Sequence, residues 1–217
     1  MSDSQPHELL IDRLGTALVP VRRLPSPWRR TVGWLLAVAA IGAVLLLHYG
    51  VHPMLRRWDG APDLAWAALG ALITAIGAAW AAFALGVPGR DARWALLPLP
   101  GAVLWIGASG LGCLRTWLAP GTTISTLHQS TDCLVFIVSF SIPLSALLIV
   151  LLRRACPLRP MLTAVLVGLA SAAASATLLN ICHKYDAAAT DLLTHAAAVA
   201  LVVAANAMMG GRLLSRA

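Results

Sequence analysis

The sequence predicts an all-α fold, a polytopic membrane bundle with six transmembrane helices. Three observations carry that prediction. The chain is 59% hydrophobic, with a mean hydropathy of +0.80. Only 12% of its residues are charged, about half the share usual in soluble domains. The apolar residues also gather into six stretches of about 18–25 residues, the length that crosses a hydrocarbon core of about 30 Å. A soluble fold of 217 residues cannot hide this much apolar surface in one core, whereas helices in lipid satisfy their own backbone groups and need no such core.

The spans fall in order at residues 31–50, 64–87, 94–112, 133–152, 161–181 and 192–210. The first 30 residues are polar and basic, and no small-residue cleavage site follows the first apolar run, so that run reads as a retained span. Every loop between spans is short. The chain therefore divides into an N-terminal segment (1–30), a six-span bundle (31–210) and a short tail (211–217). The fifth span carries small residues at Gly168, Ser171, Ala172 and Ser175, a face that lets a neighbouring helix approach closely.

Loop charge sets the expected orientation. With the N-terminus in the cytoplasm, twelve basic residues lie inside: Arg13, Arg22, Arg23, Arg29, Arg30, Arg90, Arg93, Arg153, Arg154, Arg159, Arg212 and Arg216. Four lie outside: Arg56, Arg57, Arg115 and Lys184. This is a positive-inside bias, and it supports an even number of spans with both termini cytoplasmic. Trp28, Trp34, Trp58, Trp94 and Trp117 fall near predicted interfaces, where amphipathic rings settle. The net charge of +7 is spread over these loops rather than gathered on one face, which argues against direct nucleic-acid binding.

Motifs of catalysis and of cofactor binding are absent: there is no P-loop, GxGxxG, HExxH or GxSxG. All nine carboxylates lie in loops, at span ends or in the N-terminal segment, which argues against an ion-coupled pump. His48 and His195 sit within spans near their outer ends and read as packing or interfacial residues.

The four cysteines lack CxxC spacing. Topology makes them more informative. Cys133 opens the fourth span and Cys182 closes the fifth, and the short loop between these spans predicts an antiparallel hairpin. Measured from that loop, Cys133 stands at about 28 Å and Cys182 at about 31 Å along a helix. The thiols thus reach nearly the same height at the outer face, where the compartment permits a disulfide. Three readings fit: apolar packing, a structural disulfide, or a redox- or metal-responsive thiol pair. Cys113 closes the third span at similar depth and competes as a partner, while Cys156 lies across the membrane. His128, Asp132, His183 and Asp186 flank the pair and could tune the thiols or ligate a metal.

Residues 8–18 predict a short amphipathic helix, with Leu10, Ile11, Leu14, Ala17 and Leu18 on one side. Asp3, Glu8 and Asp12 load its start with negative charge, which suits the helix dipole. Pro20, Pro25 and Pro27 then stiffen the lead-in to the first span. Such a stripe enters a partner's groove, lies on the membrane or stays unfolded. The acidic start differs from the Lys-rich face of lipid-surface helices and favours a protein partner.

Loop motifs add a resemblance. "VPVRRLPSPWRR" (19–30) precedes the first span, "ALGVPGRDARWALLPLP" (84–100) links the second and third, and "LLRRACPLRPMLTAVLVGLA" (151–170) links the fourth and fifth. "CHKYDA" (182–187) follows the fifth. Together with the leucine-bearing N-terminal helix, this pattern resembles the NrsF-type membrane anti-sigma factors over nearly the whole chain. The resemblance implies a six-span inner-membrane negative regulator of a proteobacterial extracytoplasmic-function sigma factor. It implies that the N-terminal segment holds that partner through Leu10, Ile11, Leu14 and Leu18. It also implies that two outer-face cysteines serve the stress response, and by position these are Cys133 and Cys182; Cys113 and Cys156 receive no role. "CHKYD" has His183 and Lys184 where a "CPHD"-like form has Pro and His, so no role carries over to His183.

The expectation is therefore a non-enzymatic signalling protein without cofactor or metal, whose partners are a sigma factor and the lipid bilayer. A membrane thiol oxidoreductase would need a second exposed cysteine pair, for which Cys113 is a poor candidate. A small transporter would call for mid-membrane charge or internal repeats, and neither is evident.

Overall fold

The computed structural model describes residues 5–16, 24–118, 127–155, 157–182 and 189–215. The described residues form helices and no strand: α1 (Gln5–Thr16), α2 (Pro27–Tyr49), α3 (His52–Gly60), α4 (Pro62–Leu85), α5 (Leu99–Leu118), α6 (Leu127–Leu152), α7 (Pro160–Cys182) and α8 (Ala189–Ser215). A 3-10 turn, Ala92–Leu96, precedes α5. Six stretches are long and apolar enough to cross a membrane, matching the number expected.

The departures from expectation have local causes. The third span begins not as one helix at Trp94 but as a 3-10 turn followed by α5. Pro98 and Pro100 lack backbone N–H groups and are best accommodated where a helix starts. The fourth span extends back to Leu127, and the sixth runs from Ala189 to Ser215. The nine-residue α3 was not anticipated. Gly50, at φ 75°, turns the chain out of α2, and Pro53 opens the new helix.

The bundle is organised around two helices. In α4 and α7, 72% and 78% of the apolar window is buried within the chain, against 11–28% in the other four spans. Both are rich in alanine and glycine, which lets backbones approach closely. A Cβ on Gly70 would collide with the Trp105 backbone of α5, and one on Gly101 would come within 2.6 Å of the Thr74 nitrogen of α4. On α7, a Cβ on Gly168 would meet Val203 Cα of α8 at 2.8 Å, and Ser171, Ala172 and Ser175 are fully buried. The small face of the fifth span is thus a packing face. The outer helices turn large apolar residues outward, such as Leu47 at 88% exposure and Ile106 at 69%. Lipid is the solvent that suits such a surface.

Polar contacts fix the register. Ser141 of α6 donates to the Ser175 hydroxyl at 3.1 Å, and Asn206 of α8 donates to the Ser145 hydroxyl at 3.1 Å. Arg30 of α2 is buried; its guanidinium donates to the Phe83 carbonyl at 3.4 Å and lies 4.9 Å over the Phe83 ring. One expectation is corrected here. Trp34 is not an interfacial ring but a core residue at 0% exposure, its indole N–H donating to the Leu144 carbonyl at 3.1 Å. It lies two turns inside α2, on the face that meets α4 and α6, and a buried indole needs such an acceptor. Trp28 and Trp117 are exposed, as interfacial rings should be.

Candidate functional site

The bundle has two distinguishable ends. The starts of α4, α6 and α8 and the ends of α5 and α7 form one, where Arg115 pairs with Asp63 at 3.0 Å. The start of α2, which follows α1 in the chain, meets the end of α4 at the other, through Arg30 and Phe83.

Cys133 and Cys182 both lie at the first end and belong to one apolar cluster. Cys133 is buried with Ile137, Leu179 and Ala198, and Cys182 packs half-buried against the same group. Three helices build it: α6 supplies Cys133 and Ile137, α7 supplies Leu179 and Cys182, and α8 supplies Ala198. The antiparallel α6–α7 hairpin sets both cysteines at the same end because both helices pack along their lengths from one short loop. Cys113, Cys133 and Cys182 are thiols, and the Cys182 thiol donates to the Leu179 carbonyl at 3.5 Å. Cys113, half-buried on α5, is not part of the cluster. Cys156 lies outside the described residues.

A cation stands beside this cluster. Arg57 of α3 donates to the Asn180 carbonyl at 2.9 Å and to its side-chain oxygen at 3.4 Å. Asn180 holds one of the last four carbonyls of α7, which have no partner within the helix. Arg57 thereby caps α7 two residues before Cys182, and its charge is within electrostatic reach of that thiol. In the sequence Arg57 is one of four basic residues expected outside. No local pattern links residues 123 positions apart.

Among the described residues no group of three or more potential metal ligands comes together. Of the flanking residues, Asp132 is exposed; His183, Asp186 and the His128 side chain lie outside the described residues. His195 lines a groove between α5 and α8 instead.

The predicted docking residues Leu10, Ile11 and Leu14 lie on α1, between 54% and 66% exposed, as is Leu9. Every described side chain of α1, from His7 to Thr16, is exposed. Glu8 occupies its first turn and Arg13 its last, both favourable to the helix dipole. Thr16 folds its hydroxyl back onto the Asp12 carbonyl at 3.0 Å. Leu18 lies outside the described residues.

No curated protein and no solved structure matches the chain. One family model does, NrsF, described as negative regulator of sigma F, over residues 14–215. That match takes in all six spans, the cysteine cluster and Leu14, and begins within α1. With six apolar helices, matched along nearly its whole length, the chain belongs to the NrsF family: a multi-pass membrane protein and non-enzymatic negative regulator of a sigma factor.

Proposed function

We propose that the chain holds an extracytoplasmic-function sigma factor against a bacterial inner membrane through α1, and releases it when Cys133 and Cys182 change state at the outer face. The observation that carries this reading is the sharing of one apolar cluster by two thiols, at the end of the bundle opposite the start of α2, the helix that follows the exposed apolar stripe of α1 in the chain. An isolated helix of 12 residues is marginal in water. Leu10, Ile11 and Leu14 gain stability only by entering a groove, and a sigma-factor domain is the partner that the family implies.

At the thiol end, two chemistries reach the same result. An oxidant such as a peroxide takes two electrons and two protons from the pair as a disulfide forms. A soft metal ion displaces the thiol protons instead. Either change strains or tightens the α6–α7–α8 contact, since Cys133 is held between all three helices. The change must favour one packing over the other by a few kcal/mol to shift populations appreciably.

The test is capture of the sigma factor by membranes carrying the full chain or a chain lacking residues 1–18, both with a C-terminal tag. Truncation should abolish capture while the bundle still inserts. Undiminished capture would remove α1 from the account. Replacing Leu10, Ile11 and Leu14 together by Asp should weaken capture at least tenfold, because burying two leucines and an isoleucine is worth several kcal/mol.

A further inference from the structure

A cavity of about 320 Å³ opens at the end of the bundle where α2 starts, between the loop that follows α4 and the loop that precedes α7. Leu85, Val87 and Leu158 give it an apolar wall, and Arg90 and Arg159 line it from the two loops. Those loops are fixed against each other. A Cβ on Gly86 in the first would meet Ala155 at 3.1 Å and Leu152 at 3.3 Å. Local bonds also hold the backbone of each arginine. The Arg90 N–H donates to the Val87 carbonyl at 3.4 Å, across the turn that Gly89 makes at φ 81°. The Arg159 carbonyl accepts the Thr163 N–H at 3.0 Å, as the residue ahead of a helix does.

Both arginines are exposed, and among the described residues neither has an ion pair or a side-chain hydrogen bond. The Arg90 guanidinium lies 5.3 Å over the Trp94 ring. Stacking occupies the face of a guanidinium and leaves its edge N–H groups for an anion. Asp91 also lines the cavity, but its carboxylate is engaged elsewhere: it accepts the Arg93 N–H at 3.0 Å and stands 3.8 Å from the Arg93 Nε. The described lining therefore carries an uncompensated positive charge. Trp94 stands 6.3 Å from Trp80 of α4, which is 40% exposed, so the cavity adjoins an aromatic pair of the kind that marks headgroup depth. Two guanidiniums beside an apolar wall at that depth suit a phosphodiester that continues into hydrocarbon.

We propose that this cavity binds the phosphodiester head of one anionic phospholipid, drawn from the leaflet at that end of the bundle, through Arg90 and Arg159. The apolar wall favours a lipid over free phosphate, which would gain nothing from Leu85, Val87 and Leu158. Leu158, 72% exposed, offers the first acyl carbons an apolar contact. The bound head joins the end of α4 to the start of α7, the two central helices. This goes beyond the sigma-factor reading and stands whether or not α1 is the docking element.

Native mass spectrometry of the detergent-purified, delipidated full chain tests this. The chain is titrated with phosphatidylglycerol and phosphatidylcholine of matched acyl chains, each with and without inorganic phosphate. It should retain one phosphatidylglycerol at a concentration at least about tenfold below that for phosphatidylcholine, and inorganic phosphate at the lipid's concentration should not displace it. Arg90→Gln with Arg159→Gln should erase the preference. Arg153→Gln with Arg154→Gln removes the same charge from exposed residues that do not line the cavity, and should leave the preference intact. Equal affinity for the two lipids, or equal losses in the two double variants, would show general attraction to a basic surface and overturn the proposal. Displacement by inorganic phosphate would assign the cavity to a free anion and overturn it too. So would an absent lipid preference combined with loss of sigma-factor capture in the Arg90, Arg159 double variant, which would assign the cavity to an acidic protein surface.

Discussion

Arg30 and Arg57 perform one task at opposite ends of the bundle. Each reaches from a neighbouring element to a terminal carbonyl of a central helix, Phe83 in α4 and Asn180 in α7. In lipid those carbonyls have no water to turn to, so a cation at the helix end satisfies both the acceptor and the dipole. Arg30→Gln removes the charge and the contact with the Phe83 ring. It should cost about 1–3 kcal/mol, read as a lower unfolding temperature in detergent. Trp34→Phe keeps an aromatic ring but loses part of the indole volume in a fully buried site and the hydrogen bond to the Leu144 carbonyl, at a cost of about 1–3 kcal/mol. In the sequence these residues were legible only as charge and aromaticity at span ends. The contacts that define them cross 53, 123 and 110 positions, and no periodicity encodes a partner at that distance.

At the scale of elements, each apolar run became a helix near its expected place, because length and hydropathy are properties of a single segment. α3 is not legible in the sequence because nine residues with two arginines, a tryptophan and a proline complete too few turns to show a period. The roles of α4 and α7 as the central pair were only partly legible. The small face of α7 was plain, but the matching glycines of α4 and α5 gain meaning only once those helices are side by side. Gly101→Leu tests that contact. The added side chain meets the Thr74 backbone, which cannot swing aside as a side chain would. Separation of α4 from α5 should cost about 1–3 kcal/mol and narrow the groove between α5 and α8. Gly107→Leu on the same helix, where a Cβ meets nothing within 4 Å, should change stability little. Equal losses from the two substitutions would refute close α4–α5 packing.

For the whole molecule, the matched height of Cys133 and Cys182 was readable from counting residues along two helices, and the structure gathers both into one cluster. Leu179 and Ala198 were not foreseen as its other members, since rotation about a helix axis is set by packing and not by depth. Orientation rests on the charge count of twelve basic residues against four. A fluorescent protein fused after Ala217 should therefore fluoresce, and a periplasm-dependent phosphatase at the same place should be inactive. Under that proposed orientation the thiols face outward and the leucine-bearing stripe inward. The most direct test joins them. The chain is reconstituted with α1 outward-accessible to labelled sigma factor and the cysteine end facing a sealed lumen loaded with a membrane-impermeant oxidant or its reduced form. Oxidant should release the sigma factor from the native chain, whereas the Cys133→Ser, Cys182→Ser double variant should retain it under both conditions. Equal retention by the native chain with and without oxidant, or equal release by the double variant, would contradict the account.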